Sequence, residues 1–167
     1  MTEKIRRRKQ VFTIIISILV TALYIRILLF SLTPAVVSTQ QSITVSEYIV
    51  NFIERTLSIS LNLSEVQFSR FENFIRKAAH FSEYAMLGFL LYSIPMVWEK
   101  RNFKPAFYIF LAIVILASVD ETVQLFVPGR AGRVTDVLID GAGGIFGILF
   151  LRMFFGIYAS IKQKVKK

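Results

Sequence analysis

Three short stretches hold most of the side chains that could do chemistry inside an otherwise apolar chain. The first, Arg76-Lys77-Ala78-Ala79-His80-Phe81-Ser82-Glu83-Tyr84, opens a hydrophobic segment with four ionisable groups. If helical, it sets Arg76, His80 and Glu83 at i, i+4 and i+7, a single polar stripe. The second, Asp120-Glu121-Thr122-Val123-Gln124, places Asp120 and Gln124 on one side, with Glu121 displaced by one residue. In the third, Asp136 and Asp140 are again four apart, and Gly141, Gly143, Gly144 and Gly147 follow. Ionisable groups at membrane depth are costly, so they mark either a functional site or a buried ion pair.

Five carboxylates (Glu83, Asp120, Glu121, Asp136 and Asp140) thus accompany Arg76, Lys77, Arg130, Arg133 and the one imidazole of the chain, His80. One arrangement is a binding site. Arg76, Lys77 and Arg130 would hold phosphate or carboxylate, Asp136 and Asp140 would contact amide or hydroxyl groups, and Tyr84 and Gln124 would add neutral polar contacts. A second is an acid/base enzyme, with His80 or Glu83 as general base and Asp120 or Glu121 as its partner. The third is an ion-pair network, Arg26 included, that only sets helix register.

There is no His-Glu-x-x-His and no Gly-x-Ser-x-Gly. The spacing therefore matches none of the nucleophile or zinc motifs. One imidazole and no cysteine argue against a structural zinc site, so no metal and no cofactor is assigned, although a divalent ion on the acids and His80 stays open.

The elements that must position these groups follow from composition. A chain of 167 residues that is 54% hydrophobic with 16 Phe is too apolar for an ordinary soluble fold of its size. The expected class is an all-α membrane protein, a bundle of about four transmembrane helices at residues 11–32, 75–97, 105–126 and 134–157. Each apolar run is about long enough for a bilayer core of about 30 Å. Thr33-Pro34 ends the first run, and Arg26 within it either snorkels to headgroups or turns inward to a carboxylate.

The stretch 33–74 reads as an outer loop. Within it Val45, Tyr48, Ile49, Phe52 and Ile53 give one face of an amphipathic helix, set on the outer membrane surface or capping the bundle. Ser64-x-x-Gln67 has the pattern of a capping box.

The formal charge of +9 is concentrated in basic tails at residues 1–10 and 159–167 and in a loop with Lys100, Arg101 and Lys104. Those three places hold twelve of the 20 Lys and Arg residues. In an apolar chain they read as cytoplasmic flanks and not as a nucleic-acid surface. With four spans both termini are then cytoplasmic. The start of the second span, the end of the third and the start of the fourth all reach the outer face, so the three polar clusters are expected to meet there.

Phe74-Ile75-Arg76-Lys77 with His80, Glu83 and Tyr84, then Asp120-Glu121 with Gln124, then Pro128-Gly129-Arg130 with Asp136, resembles the VanZ-like family of bacterial membrane proteins over residues 71–147. The resemblance implies a small multi-pass protein of the cell envelope whose founding member is linked to low-level teicoplanin resistance. It implies as partners the lipid bilayer and a cell-wall precursor or glycopeptide, and no settled reaction. One position departs from the family, which often has Asn where this chain has Asp140. Oligomeric state is left open by the sequence.

Overall fold

The computed structural model describes residues 2–99 and 103–165; Lys100 and Arg101 of the basic loop, and Lys166 and Lys167 of the tail, lie outside them. The described residues form five helices and no strand: α1 (Glu3–Ser31), α2 (Ala35–Leu57), α3 (Glu65–Val97), α4 (Phe103–Gln124) and α5 (Val134–Val165). By length and composition α1, α4 and residues 134–157 of α5 could cross a membrane. The segment expected as the second span does not qualify on its own composition. It belongs to α3, a helix of 33 residues whose first turns are studded with charge.

Helix α3 starts ten residues earlier than residue 75, because the capping box forms. The Ser64 side chain accepts from the Gln67 N–H at 3.3 Å, and the Ser64 N–H donates to Gln67 Oε1 at 2.9 Å. Nothing then breaks the helix before the apolar run. The stretch 33–74 is likewise mostly helical and not loop, since Pro34 occupies the N-cap of α2 directly after α1 has ended. Both basic tails continue helices, α1 from Glu3 and α5 as far as Val165.

Helix α3 is the centre of the bundle and packs against all four others, while α5 and α1 each also touch α4. The α3–α5 seam is built from small residues. A Cβ on Gly143, Gly144 or Gly147 would run into the backbone of Phe81, the side chain of Ile113 or the backbone of Ala85, and one on Gly88 would meet Gly144. Glycine here brings backbones close where lipid offers no hydrophobic drive between helices. Around this seam lie Ile27, Tyr84, Leu87, Tyr92, Ile113, Ala117, Ile148 and Leu151, all buried.

Side-chain contacts set the helix directions. At one end Lys9 Nζ meets Glu99 Oε1 at 2.8 Å, Trp98 Nε1 donates to Thr13 Oγ1 at 3.0 Å, and Arg152 lies 4.2 Å from the Phe103 ring centre. At the other end Arg130 Nη2 donates to the Phe30 carbonyl at 3.1 Å and Gln124 Nε2 to Ser31 Oγ at 3.4 Å. Helices α1 and α4 therefore run one way and α3 and α5 the other, so residues around 80, 124 and 136 share one end.

Helix α2 covers this end against α3, and its facing differs from a simple amphipathic pattern. Val45, Tyr48 and Phe52 are exposed, Ile49 and Ile53 are half-buried, and the inward side carries serines. Ser42 donates to Glu72 of α3, and Ser46 is fully buried.

Candidate functional site

The polar end contains a cavity of about 130 Å³ lined by side chains of all three sequence clusters, among them Arg76, Lys77, His80, Glu121, Gln124, Arg130, Asp136 and Asp140. Each arrives by a separate local device. The stripe on α3 turns inward with Arg76 and His80, and the first two turns of α5 aim Asp136 and Asp140 at it. The last turn of α4 supplies Glu121 and Gln124, and Gly129, at φ +77°, lets the following turn fold back over them. A side chain at that φ would be strained.

The turn is tied down at both ends. Arg130 reaches across to α1, donating from Nε to the Thr33 carbonyl at 2.9 Å and from Nη2 to that of Phe30 at 3.1 Å. Both carbonyls lie at or just past the end of α1, where backbone acceptors run short of helical donors; that of Phe30 also takes the Thr33 N–H at 3.0 Å. Glu121 accepts the Arg133 backbone N–H at 2.7 Å and lies 3.4 Å from Gln124 Nε2. Arg130 has its pKa pushed down by burial and then by the neighbouring Arg76, with Asp120 and Glu121 opposing. It is a cation short of counter-charge.

Not every expected site residue faces this cavity. Glu83 is drawn to the α1 side, where Arg26 Nη2 stands 3.1 Å from Glu83 Oε1. Arg26 therefore pairs with a carboxylate, although its own side chain remains exposed. Glu83 and Arg26 line a neighbouring hollow of about 190 Å³ that shares Arg76, His80 and Arg130 with the first. Arg76 itself donates to Asn73 Oδ1 at 3.0 Å on its own helix, and Lys77 lies 3.5 Å from Asp136 Oδ1.

Tyr84 is fully buried, not an interfacial anchor, and its hydroxyl has no hydrogen-bond partner. Asp120 lies beneath the cavity, 0% exposed, and neither of its oxygens receives a hydrogen bond of normal geometry, although Ser31 and Gln124 stand beside it.

Directly under the opening, His80 Nδ1 is 3.9 Å from Asp140 Oδ1. One donor atom each of His80, Asp120 and Asp140 lies within 4.8 Å of the other two. Asp140 is also 0% exposed, with both oxygens unpartnered. These three are the described residues that could hold a metal ion. A general base is equally well placed here, since an imidazole beside a carboxylate is the usual arrangement for one.

The structure also brings in Ser31, Ser38 and Glu72, which sequence reasoning passed over. Only Ser42 and Ser46, four apart on α2, offered a signal for that polar contact, and a serine pair is common.

Helices of this length and apolarity around a polar end with a cavity define a helical membrane protein. Within that class the chain belongs to the VanZ/LLP1 family, whose model matches residues 15–155. The match extends well beyond the segment 71–147 that carries the recognisable motifs and takes in α1 and α2. Comparison with curated proteins and with solved structures finds no match.

Proposed function

We propose that this chain is a multi-pass protein of the cell membrane in which α1, α3, α4 and α5 span the bilayer, both termini are cytoplasmic and the polar cavity opens at the outer face. There it binds or processes an anionic cell-wall or lipid-linked component and contributes to glycopeptide (teicoplanin) resistance. Membership of the family supports the link to glycopeptide resistance. The observation that carries the site is the cavity itself, where Arg76, Lys77, Arg130 and Arg133 surround a hollow that converges on His80. Of these, Arg130 is held by two backbone carbonyls and faces no carboxylate within ion-pair distance among the described residues. Guanidinium groups so placed suit phosphate or carboxylate.

The basic tails support the orientation, since cytoplasmic flanks carry the excess of Lys and Arg. α3 crosses as the fourth span with its charges gathered at one end and shielded by α1, α2 and α5.

The test is a susceptibility assay. His80→Ala and Glu121→Ala, expressed at wild-type level, lose the change in teicoplanin susceptibility that the wild-type chain confers over an empty vector. Full retention in both removes the cavity from the function, and no effect of the wild type removes resistance from this chain.

One observation favours a second reading, catalysis. His80 Nδ1 faces Asp140 at 3.9 Å at the base of the cavity, as a positioned general base would. His80→Gln then abolishes turnover of the bound component without abolishing its binding.

A further inference from the structure

We propose that His80 Nδ1 and the carboxylates of Asp120 and Asp140 bind one divalent transition-metal ion at the base of the cavity. The chemistry goes beyond the ligand reading above, because it concerns an ion and not the component that enters the mouth.

Three independent helices converge on the point. α3 gives His80, α4 gives Asp120 and α5 gives Asp140. Donor atoms bound about 2.1 Å from a common ion stand about 3.0–4.2 Å from one another. The 3.9 Å between His80 Nδ1 and Asp140 Oδ1 falls inside that window, and donor atoms of the trio, within 4.8 Å of one another, reach the roughly 3.4 Å of a tetrahedral site by closing at most about 1.4 Å.

Satisfaction of polar groups points the same way. All four oxygens of Asp120 and Asp140, and His80 Nδ1, are buried without a hydrogen-bond partner. Polar groups out of reach of water cost free energy unless something pairs them. His80 as a cation would partner Asp140 alone and leave Asp120 only its off-geometry contacts with Ser31 and Gln124. One proton shared by the two acids would satisfy one oxygen of each and leave the other two, and His80 Nδ1, unpaired. A divalent ion engages all three residues together.

The Tyr84 hydroxyl, also unpartnered and fully buried within electrostatic reach of both acids, adds a neutral donor behind them. His80 and Asp140 line the cavity, which supplies an entry path and open coordination positions. One imidazole with two carboxylates suits Zn²⁺ or Mn²⁺ better than Mg²⁺ or Ca²⁺, which prefer oxygen alone.

The experiment uses the full chain, purified in detergent on a tag free of histidine, stripped with chelator and titrated with Zn²⁺ alone and with Mn²⁺ alone. One ion is expected per chain, bound at about micromolar concentration or tighter. Asp120→Asn, Asp140→Asn and His80→Gln each weaken it at least about 100-fold, and Glu47→Gln on the outer side of α2 leaves it unchanged. With Mn²⁺ the electron spin-echo signal of the wild type carries the modulation of one imidazole nitrogen. That reading needs no variant to fold. Absence of uptake by the stripped wild type up to about 1 mM, absence of the nitrogen modulation, or uptake that survives all three substitutions overturns the proposal. The titration contains no organic ligand, so it can fail while the cavity still binds an anionic component, and it can succeed if teicoplanin plays no part.

Discussion

Arg26 of α1 pairs with Glu83 of α3 at 3.1 Å, while Arg76, about two turns away on the same helix as Glu83, hydrogen-bonds Asn73 instead. The glutamate is thereby committed to holding two helices together. Its arginine also lies 5.3 Å from the Phe30 ring centre, a cation–π contact that steadies the geometry.

Arg26→Ala therefore lowers the stability of the detergent-solubilised protein by up to about 1 kcal/mol, the range of a partly exposed ion pair. Arg26→Glu lowers it further, and adding Glu83→Arg recovers part of the loss, whereas Arg76→Glu with Glu83→Arg recovers none. Thermal unfolding followed by size-exclusion fluorescence ranks the four proteins.

Two glycines of α5 predict opposite outcomes, Gly147 packed on α3 and Gly141 facing α4. Gly147→Ala forces a Cβ into the Ala85 carbonyl, an overpacking that costs about 1–3 kcal/mol. At Gly141 the same Cβ would sit 3.7 Å from Val114 Cγ2, an ordinary contact, so Gly141→Ala stabilises by up to about 1 kcal/mol through helix propensity. The difference in midpoint temperature between the two variants is the measurement.

Ser46 is fully buried, and its hydroxyl has no partner. Ser46→Ala removes an unsatisfied polar group and improves helix propensity, which raises stability by about 1 kcal/mol. A loss on substitution, seen in the same thermal assay, would mean that the hydroxyl is satisfied.

Arg130 clamps the turn before α5 to the end of α1. Arg130→Ala frees the carbonyls of Phe30 and Thr33, and Arg130→Lys does not restore both bonds, because an ammonium lacks the planar fork. Amide exchange at residues 32–36 accelerates at least about 10-fold in both variants, while exchange in the α3–α5 seam is unchanged.

A chain without cysteine makes topology simple to read. Ser60→Cys, in the connection between α2 and α3 beyond the polar end, reacts with a membrane-impermeant maleimide applied to intact cells, and Glu3→Cys does not. The reverse result would turn the protein over in the membrane.

Much of this organisation was legible in the sequence because it rests on local rules. Charge placement and alternating helix direction brought Arg76, Glu121 and Asp136 to one end, and the run of small residues from Gly143 to Gly147 announced a close helix contact. Pairing across helices was not legible. Whether Glu83 meets Arg26 or Arg76, and whether Asp120 lies beside or beneath the cavity, depends on rotation and offset between helices, which no spacing within one helix encodes. Which of the two settings α2 takes, on the membrane surface or capping the bundle, was not legible for a related reason. Ser42 and Ser46 pack on the α3 side while Val45, Tyr48 and Phe52 stay exposed, so an apolar stripe does not by itself identify the packed side.

The glycine contacts between α3 and α5 also constrain how the molecule can work. Backbones in direct contact leave no slack for sliding or rotation, so His80 and Asp140 ride on what is mechanically one double beam. Any widening of the mouth to admit a bulky guest must come from the other wall, through the Arg130 strap and the cover formed by α2. The side of the chamber built on α3 and α5 is then its stiff wall, and the Arg130 strap with α2 its adjustable one.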